Sequence, residues 1–116
     1  MVNKDELINN FETEINRGSM TLAVLSQLFT KQYGYSLLQS LEEKGTSIDA
    51  NTLYPLLRRL EEKELLESTW DTTEKRPRKY YLISPIGKEV FEKLKTIWFE
   101  TYHKMDLLLK EENKWN

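Results

Sequence analysis

At 116 residues, 31% charged and 39% hydrophobic, the chain has room for one domain, or for one domain with a long appendage. It has no cysteine, which excludes disulfides, thiolate catalysis and cysteine-based metal sites. The net charge is −2, no stretch approaches the roughly 18 apolar residues of a membrane span, and the acidic opening reads as neither signal nor transit peptide, which fits a cytoplasmic location.

Residues 4–16 place Leu7, Ile8, Phe11 and Ile15 on one face of an amphipathic helix. Gly18 is expected to end it, with Ser19 as the N-cap of a second, buried helix over 20–29. A third helix follows Gly34 over 35–44, with Leu37, Leu38 and Leu41 on one side and Gly45 just past its end. A fourth begins near 47–51 and carries Leu53, Leu56, Leu57 and Leu60 at i, i+3, i+4 and i+7. Segments 65–71 and 78–84 hold Thr69, Trp70, Tyr80, Tyr81 and Ile83, which favour strands, and read as a β-hairpin. Its six-residue tip lacks glycine, so a tight two-residue turn is not expected. Ser84-Pro85 is a helix start, and the last helix runs from 86 to about 111.

The order of elements is that of a winged helix-turn-helix: mainly α, with a small β-hairpin and a long C-terminal dimerisation helix. Residues 1–84 read as the winged helix-turn-helix with its N-terminal helix, and 85–116 as the dimerisation helix. In such folds the second helix of the motif enters the major groove of double-stranded DNA and the wing touches the neighbouring backbone. At 100° per residue the four leucines of the fourth helix fall together, and Asn51, Tyr54, Pro55, Arg58 and Glu62 fall opposite. Asn can read adenine and Arg guanine bidentately, while Thr52 on the flank can reach a phosphate or a thymine methyl. The positive end of the helix dipole adds phosphate attraction. The same residues also suit an ordinary solvent face. Pro55 cannot donate to the Asn51 carbonyl, so this helix is expected to start near Asn51 or Thr52, or to bend.

Four of the five residues Lys75-Arg76-Pro77-Arg78-Lys79 are basic, and most acids lie elsewhere. Cations gathered at a hairpin tip repel one another, and an anion relieves the repulsion. This local cluster outweighs the negative average charge as an argument about phosphate contact. A solvated charged loop is the plainer reading.

The last helix carries Ile86, Val90, Phe91, Leu94, Ile97, Trp98, Phe99, Tyr102, Met105, Leu108 and Leu109, a stripe wider than one small domain covers. About 25 residues of helix reach roughly 38 Å. Part of the stripe is therefore expected to pack on a second copy, with Phe91, Leu94, Trp98, Tyr102, Met105 and Leu109 as the seam and Phe11 from the first helix. Trp98, Phe99 and Tyr102 are either the core of that interface or one wall of a cavity for a small planar aromatic effector. His103, the one histidine, has no second ligand beside it. Glu89/Lys93 and Glu92/Lys95 read as surface ion pairs. With no phosphate cradle and no nucleophile constellation, the residues predict neither an enzyme, a cofactor nor a metal site.

Three motifs carry a family resemblance. Tyr33-Gly34-Tyr35-Ser36-Leu37, Thr52-Leu53-Tyr54-Pro55-Leu56-Leu57-Arg58-Arg59-Leu60-Glu61 and the stretch from Arg76-Pro77-Arg78-Lys79-Tyr80-Tyr81 to Gly87 resemble, in order, those of the PadR-like transcriptional regulators. The resemblance implies a homodimeric repressor that binds a palindromic operator and is released by a small effector. By position it implies DNA contacts from Tyr35, Asn51, Thr52, Tyr54, Arg58 and the wing cations Lys75, Arg76, Arg78 and Lys79. Glu64 departs from the pattern, since many members have glycine there. The rival reading is a winged-helix adaptor that binds protein partners without specific DNA binding, which the acidic average would suit.

Overall fold

The computed structural model describes residues 1–111. Their elements follow in the order α1 (Lys4–Ser26), β1 (Gln32–Tyr33), α2 (Gly34–Glu43), α3 (Ala50–Glu62), β2 (Leu66–Asp71), β3 (Arg78–Ile83) and α4 (Pro85–Leu109). The strands form one antiparallel sheet in the order β1-β3-β2. In the hairpin Leu66 faces Ile83 and Asp71 faces Arg78, which leaves residues 72–77 as the tip. This is a winged helix-turn-helix, mainly α-helical, with a long last helix.

One core joins the elements. Val24, Leu25 and Leu28 meet Leu37 and Leu41 of α2, Leu53, Leu56, Leu57 and Leu60 of α3, and Leu66, Tyr81 and Ile83 of the sheet. The heptad-like leucine set of α3 is buried as its periodicity predicts.

The first two expected helices are one. Gly18 lies inside the 23-residue α1, and the Ser19 hydroxyl donates to the Asn16 carbonyl, 3.2 Å, so it caps nothing. A helical glycine costs only about 1 kcal/mol, too little to break a helix by itself. The helix then stops at Ser26, short of Phe29, because the sheet takes over. The Leu28 carbonyl accepts from the Ile83 N–H at 2.8 Å. Strand β1, absent from the sequence reading, follows at once and pairs Gln32 with Tyr81 and Tyr33 with Tyr80. Two residues cannot display an alternation.

The first turns of α4 belong to the core. Ser84 caps the helix by accepting from the Gly87 N–H, 2.9 Å, and donates to the Glu64 carbonyl, 2.6 Å. A Cβ on Gly87 would collide with the Leu65 carbonyl oxygen and the Ile83 side chain, so only glycine lets the helix come this close. Phe91 is 8% exposed and meets Phe29 edge-on at 5.2 Å. It belongs to this chain's own core, which corrects its expected place in a seam with a second copy. A wide apolar stripe does not tell which of its sides the home domain claims.

Beyond Phe91 the helix leaves the core. Trp98, Phe99, Tyr102, Met105, Leu108 and Leu109 are exposed, as are Leu7, Ile8, Phe11 and Ile15 at the other end of α1. The radius of gyration is 17.7 Å, against about 13 Å for a compact domain of this size. Residues 112–116, the end of the segment expected to dimerise, lie outside the described residues.

Candidate nucleic-acid interface

Helix α3 opens on Asp49, whose carboxylate accepts from the Thr52 N–H at 2.9 Å and the Thr52 hydroxyl at 3.2 Å. This cap fixes the start at Ala50, earlier than Pro55 suggested. Pro55 sits in the second turn and leaves the Asn51 carbonyl without its helical donor. The cap also changes the electrostatics expected here. The amide end of the helix already holds a carboxylate, and the Thr52 hydroxyl is engaged with it, so this end offers a phosphate less than a bare helix terminus does. The exposed face carries Asn51, Thr52, Tyr54, Pro55, Arg58 and Arg59. Among the described residues, neither Arg58 nor Arg59 has a carboxylate partner.

Tyr54 is held in place by an absence. A Cβ on Gly34 would lie 2.5 Å from the Tyr54 ring and hydroxyl, so the phenol lies directly over the first residue of α2. Gly34 thus aims an α3 side chain from the neighbouring helix. The motif around Gly34 marked the position, but its contact with residue 54 is tertiary and had no signal in spacing. Tyr35, one residue on, is 58% exposed and its hydroxyl accepts from Gln39 Nε2 at 3.2 Å.

The wing divides its cations. Lys75 and Arg76 stand exposed at the tip with no carboxylate partner among the described residues. Arg78, at the base of the tip, lies 3.8 Å from Glu74 and over the Tyr33 ring at 4.6 Å. Asp71 closes the turn, accepting from the Thr73 N–H and hydroxyl; those bonds hold its carboxyl below the usual range. Lys79 is not part of the tip. It sits in β3 and pairs through Nζ with Glu61 Oε1 of α3 at 3.0 Å. The other oxygen of Glu61 accepts from the Ser68 hydroxyl of β2. The Ser68 bond and, next, the Lys79 ammonium hold the Glu61 carboxyl low against the opposing effect of burial. Glu61 in turn pushes Lys79 up. Trp70 pairs across from Lys79 and is 63% exposed, a feature of the wing that its strand-forming type alone did not flag.

The corner between α3 and β2 has an unusual backbone. Glu64 has φ +64°. The Glu64 N–H donates to the Glu61 carbonyl and the Leu65 N–H to the Leu60 carbonyl, a Schellman ending with glutamate in the left-handed position. Helix α2 ends the same way, with Gly45 at φ +85° in that position.

On α4, Trp98 stacks on Tyr102 at 5.5 Å and 11°, and meets Phe99 edge-on at 5.2 Å. Leu94 is half-buried.

The profile of the transcriptional regulator PadR-like family matches residues 21–93, from the second half of α1 into α4. The chain belongs to the PadR-like family of transcriptional regulators. Among solved structures it is similar to a PadR-family transcriptional regulator from Eggerthella lenta, 40% identical, with 93% of this chain and 96% of that one covered and a TM-score of 0.86. A PadR-like transcriptional regulator from Bacillus cereus is 29% identical over 85% of this chain and 99% of that one, with a TM-score of 0.76. An uncharacterised protein of Lysinibacillus sphaericus is 31% identical over 103 residues, covering 84% of this chain and 94% of that one.

Proposed function

We propose that this PadR-like regulator is a dimeric repressor that binds a palindromic operator in double-stranded DNA. The observation that carries this is the pair of unpartnered tip cations, Lys75 and Arg76, on the same domain as the exposed face of α3. Asn51 and Arg58 are the base-reading residues, because their side chains match the edges of adenine and guanine. Tyr35, Tyr54 and Arg78 contact the backbone, and Thr52, whose N–H and hydroxyl are held by Asp49, offers its methyl to a thymine methyl. Two copies join through the outer part of α4, with Leu94, Trp98, Tyr102, Met105 and Leu109, and through Phe11 of α1. A cytoplasmic location follows from that role. Protection of DNA flanking its own coding region tests the reading. The expected footprint is two half-sites about one helical turn apart, and Asn51→Ala or Arg58→Ala weakens the operator more than unrelated DNA. Equal loss on both kinds of DNA would remove these residues from base reading.

The aromatic cluster supports a second part of the proposal. Trp98, Phe99 and Tyr102 present stacked and edge-on rings on an uncovered helix face. A flat aromatic effector between two such faces binds by stacking and shifts the dimer away from its DNA-binding arrangement. Titration of a variant retaining Trp98 as its one tryptophan, with a panel of planar aromatics, should quench its fluorescence. No quenching across the panel would sink the effector role.

A further inference from the structure

Three side chains from three elements converge beneath the wing. Glu61 lies on α3, Ser68 on β2 and Lys79 on β3. The carboxylate uses both oxygens, one for the Lys79 ammonium at 3.0 Å and the other for the Ser68 hydroxyl. The Lys79 ammonium also lies 5.3 Å from the centre of the Tyr81 ring, whose residue belongs to the core. Both charged side chains are about two-thirds covered, 30% and 31% exposed. Beyond this point, among the described residues, the hairpin meets the rest of the domain through the Arg78 guanidinium over the Tyr33 ring at 4.6 Å, with no further ion pair to a helix. The core contact of β2 is Leu66, and Thr69, Trp70 and the tip are exposed.

We propose that Glu61 is a positioning residue that fixes the angle between α3 and the wing, and that Lys79 serves this strut and does not contact phosphate. The proposal rests on the DNA-binding reading above. An acid next to a DNA-contacting surface repels phosphate, so its removal should tighten binding if it had no other role. The strut has the opposite consequence. Once Glu61 is neutral, Lys79 loses its partner, the hairpin pivots at its core attachment, and Lys75 and Arg76 no longer hold one place relative to Asn51 and Arg58.

The test has one arm with DNA and one without. Glu61→Gln should weaken operator binding about fivefold, the scale of one partly exposed ion pair, although it removes a negative charge. Lys79→Met should weaken it similarly, leave the dependence on salt unchanged, and add nothing to Glu61→Gln. Because the chain has no cysteine, spin labels can be placed at Lys63→Cys and Thr72→Cys and the labelled chain diluted into unlabelled chain. The distance distribution between them should be narrow with Glu61 and broad with Glu61→Gln. Tighter or unchanged DNA binding by Glu61→Gln overturns the strut. So does an unbroadened distance distribution. A drop in the salt slope by about 0.9 per wing in Lys79→Met makes Lys79 a phosphate contact instead. A wild-type chain that binds no DNA defeats the proposed function, and the distance measurement still decides the strut.

Discussion

Glu64 and Glu61 stand three residues apart and show two ways in which one residue type serves an edge of the interface. Glu64 occupies a left-handed backbone position that costs a residue with a Cβ about 1–2 kcal/mol. Its side chain has no ion pair among the described residues that offsets this cost. Glu64→Gly should therefore raise the stability to urea, by about 0.5–1 kcal/mol once the larger freedom of glycine in the unfolded chain is counted. Glu61 acts through its partners. Its folded-state pKa is lowered, so its contribution is complete above the ordinary glutamate range and is lost as pH falls through the folded value. Lys79 is raised, so its part is complete below the ordinary lysine range and is lost as pH rises through its folded value. The stability difference between wild type and Glu61→Gln should then be constant from about pH 6 to pH 9. It should shrink in acid, and stay within about 1 kcal/mol because both groups touch water. Urea midpoints at several pH values measure it.

Among the elements, α1 departs furthest from the sequence reading, and its glycine explains why. A Cβ on Gly18 would meet nothing within 4 Å. Gly18→Ala should stabilise the protein by about 1 kcal/mol, seen as a higher thermal midpoint with an unchanged fold. If Gly18 marked a break between two helices, alanine would gain nothing. The helix α3 and the hairpin were legible in the sequence because a leucine repeat and two runs of strand-forming residues are local signals. The continuity of α1 was not, because one glycine is a weak terminator. Strand β1 was not, because its two residues are ordered by hydrogen bonds from β3, some 50 residues away. The site shows the same division. Residue types marked the face of α3 and the tip cations. The withdrawal of Lys79 to Glu61, the seat of Tyr54 on Gly34 and the burial of Phe91 against Phe29 all depend on contacts between elements. The left-handed corner at Glu64 was not legible either: the departure from the family's glycine marked the position, but a glutamate there gives no signal of a positive φ.

At the scale of the whole molecule the chain extends over 67 × 36 × 25 Å, with apolar side chains along the outer halves of α1 and α4. Patches of this kind mark a surface that a protein partner, a membrane or a ligand covers. The proposed dimer covers them and sets two α3 helices against successive turns of DNA. Replacing Met105 and Leu109 together with glutamate should halve the mass in sedimentation and weaken operator binding by orders of magnitude, while the winged domain keeps its circular dichroism, since neither side chain is in the core. The proposed function requires a chain of net charge −2 to bind DNA through the local charge of its wing. The salt dependence of binding to an operator fragment tests it most directly. The logarithm of the binding constant should fall steeply and linearly with the logarithm of salt, and Lys75→Ala with Arg76→Ala should lower that slope by about two per wing. Salt-independent binding, or a slope that both substitutions leave unchanged, would contradict the account and favour an adaptor that recognises protein.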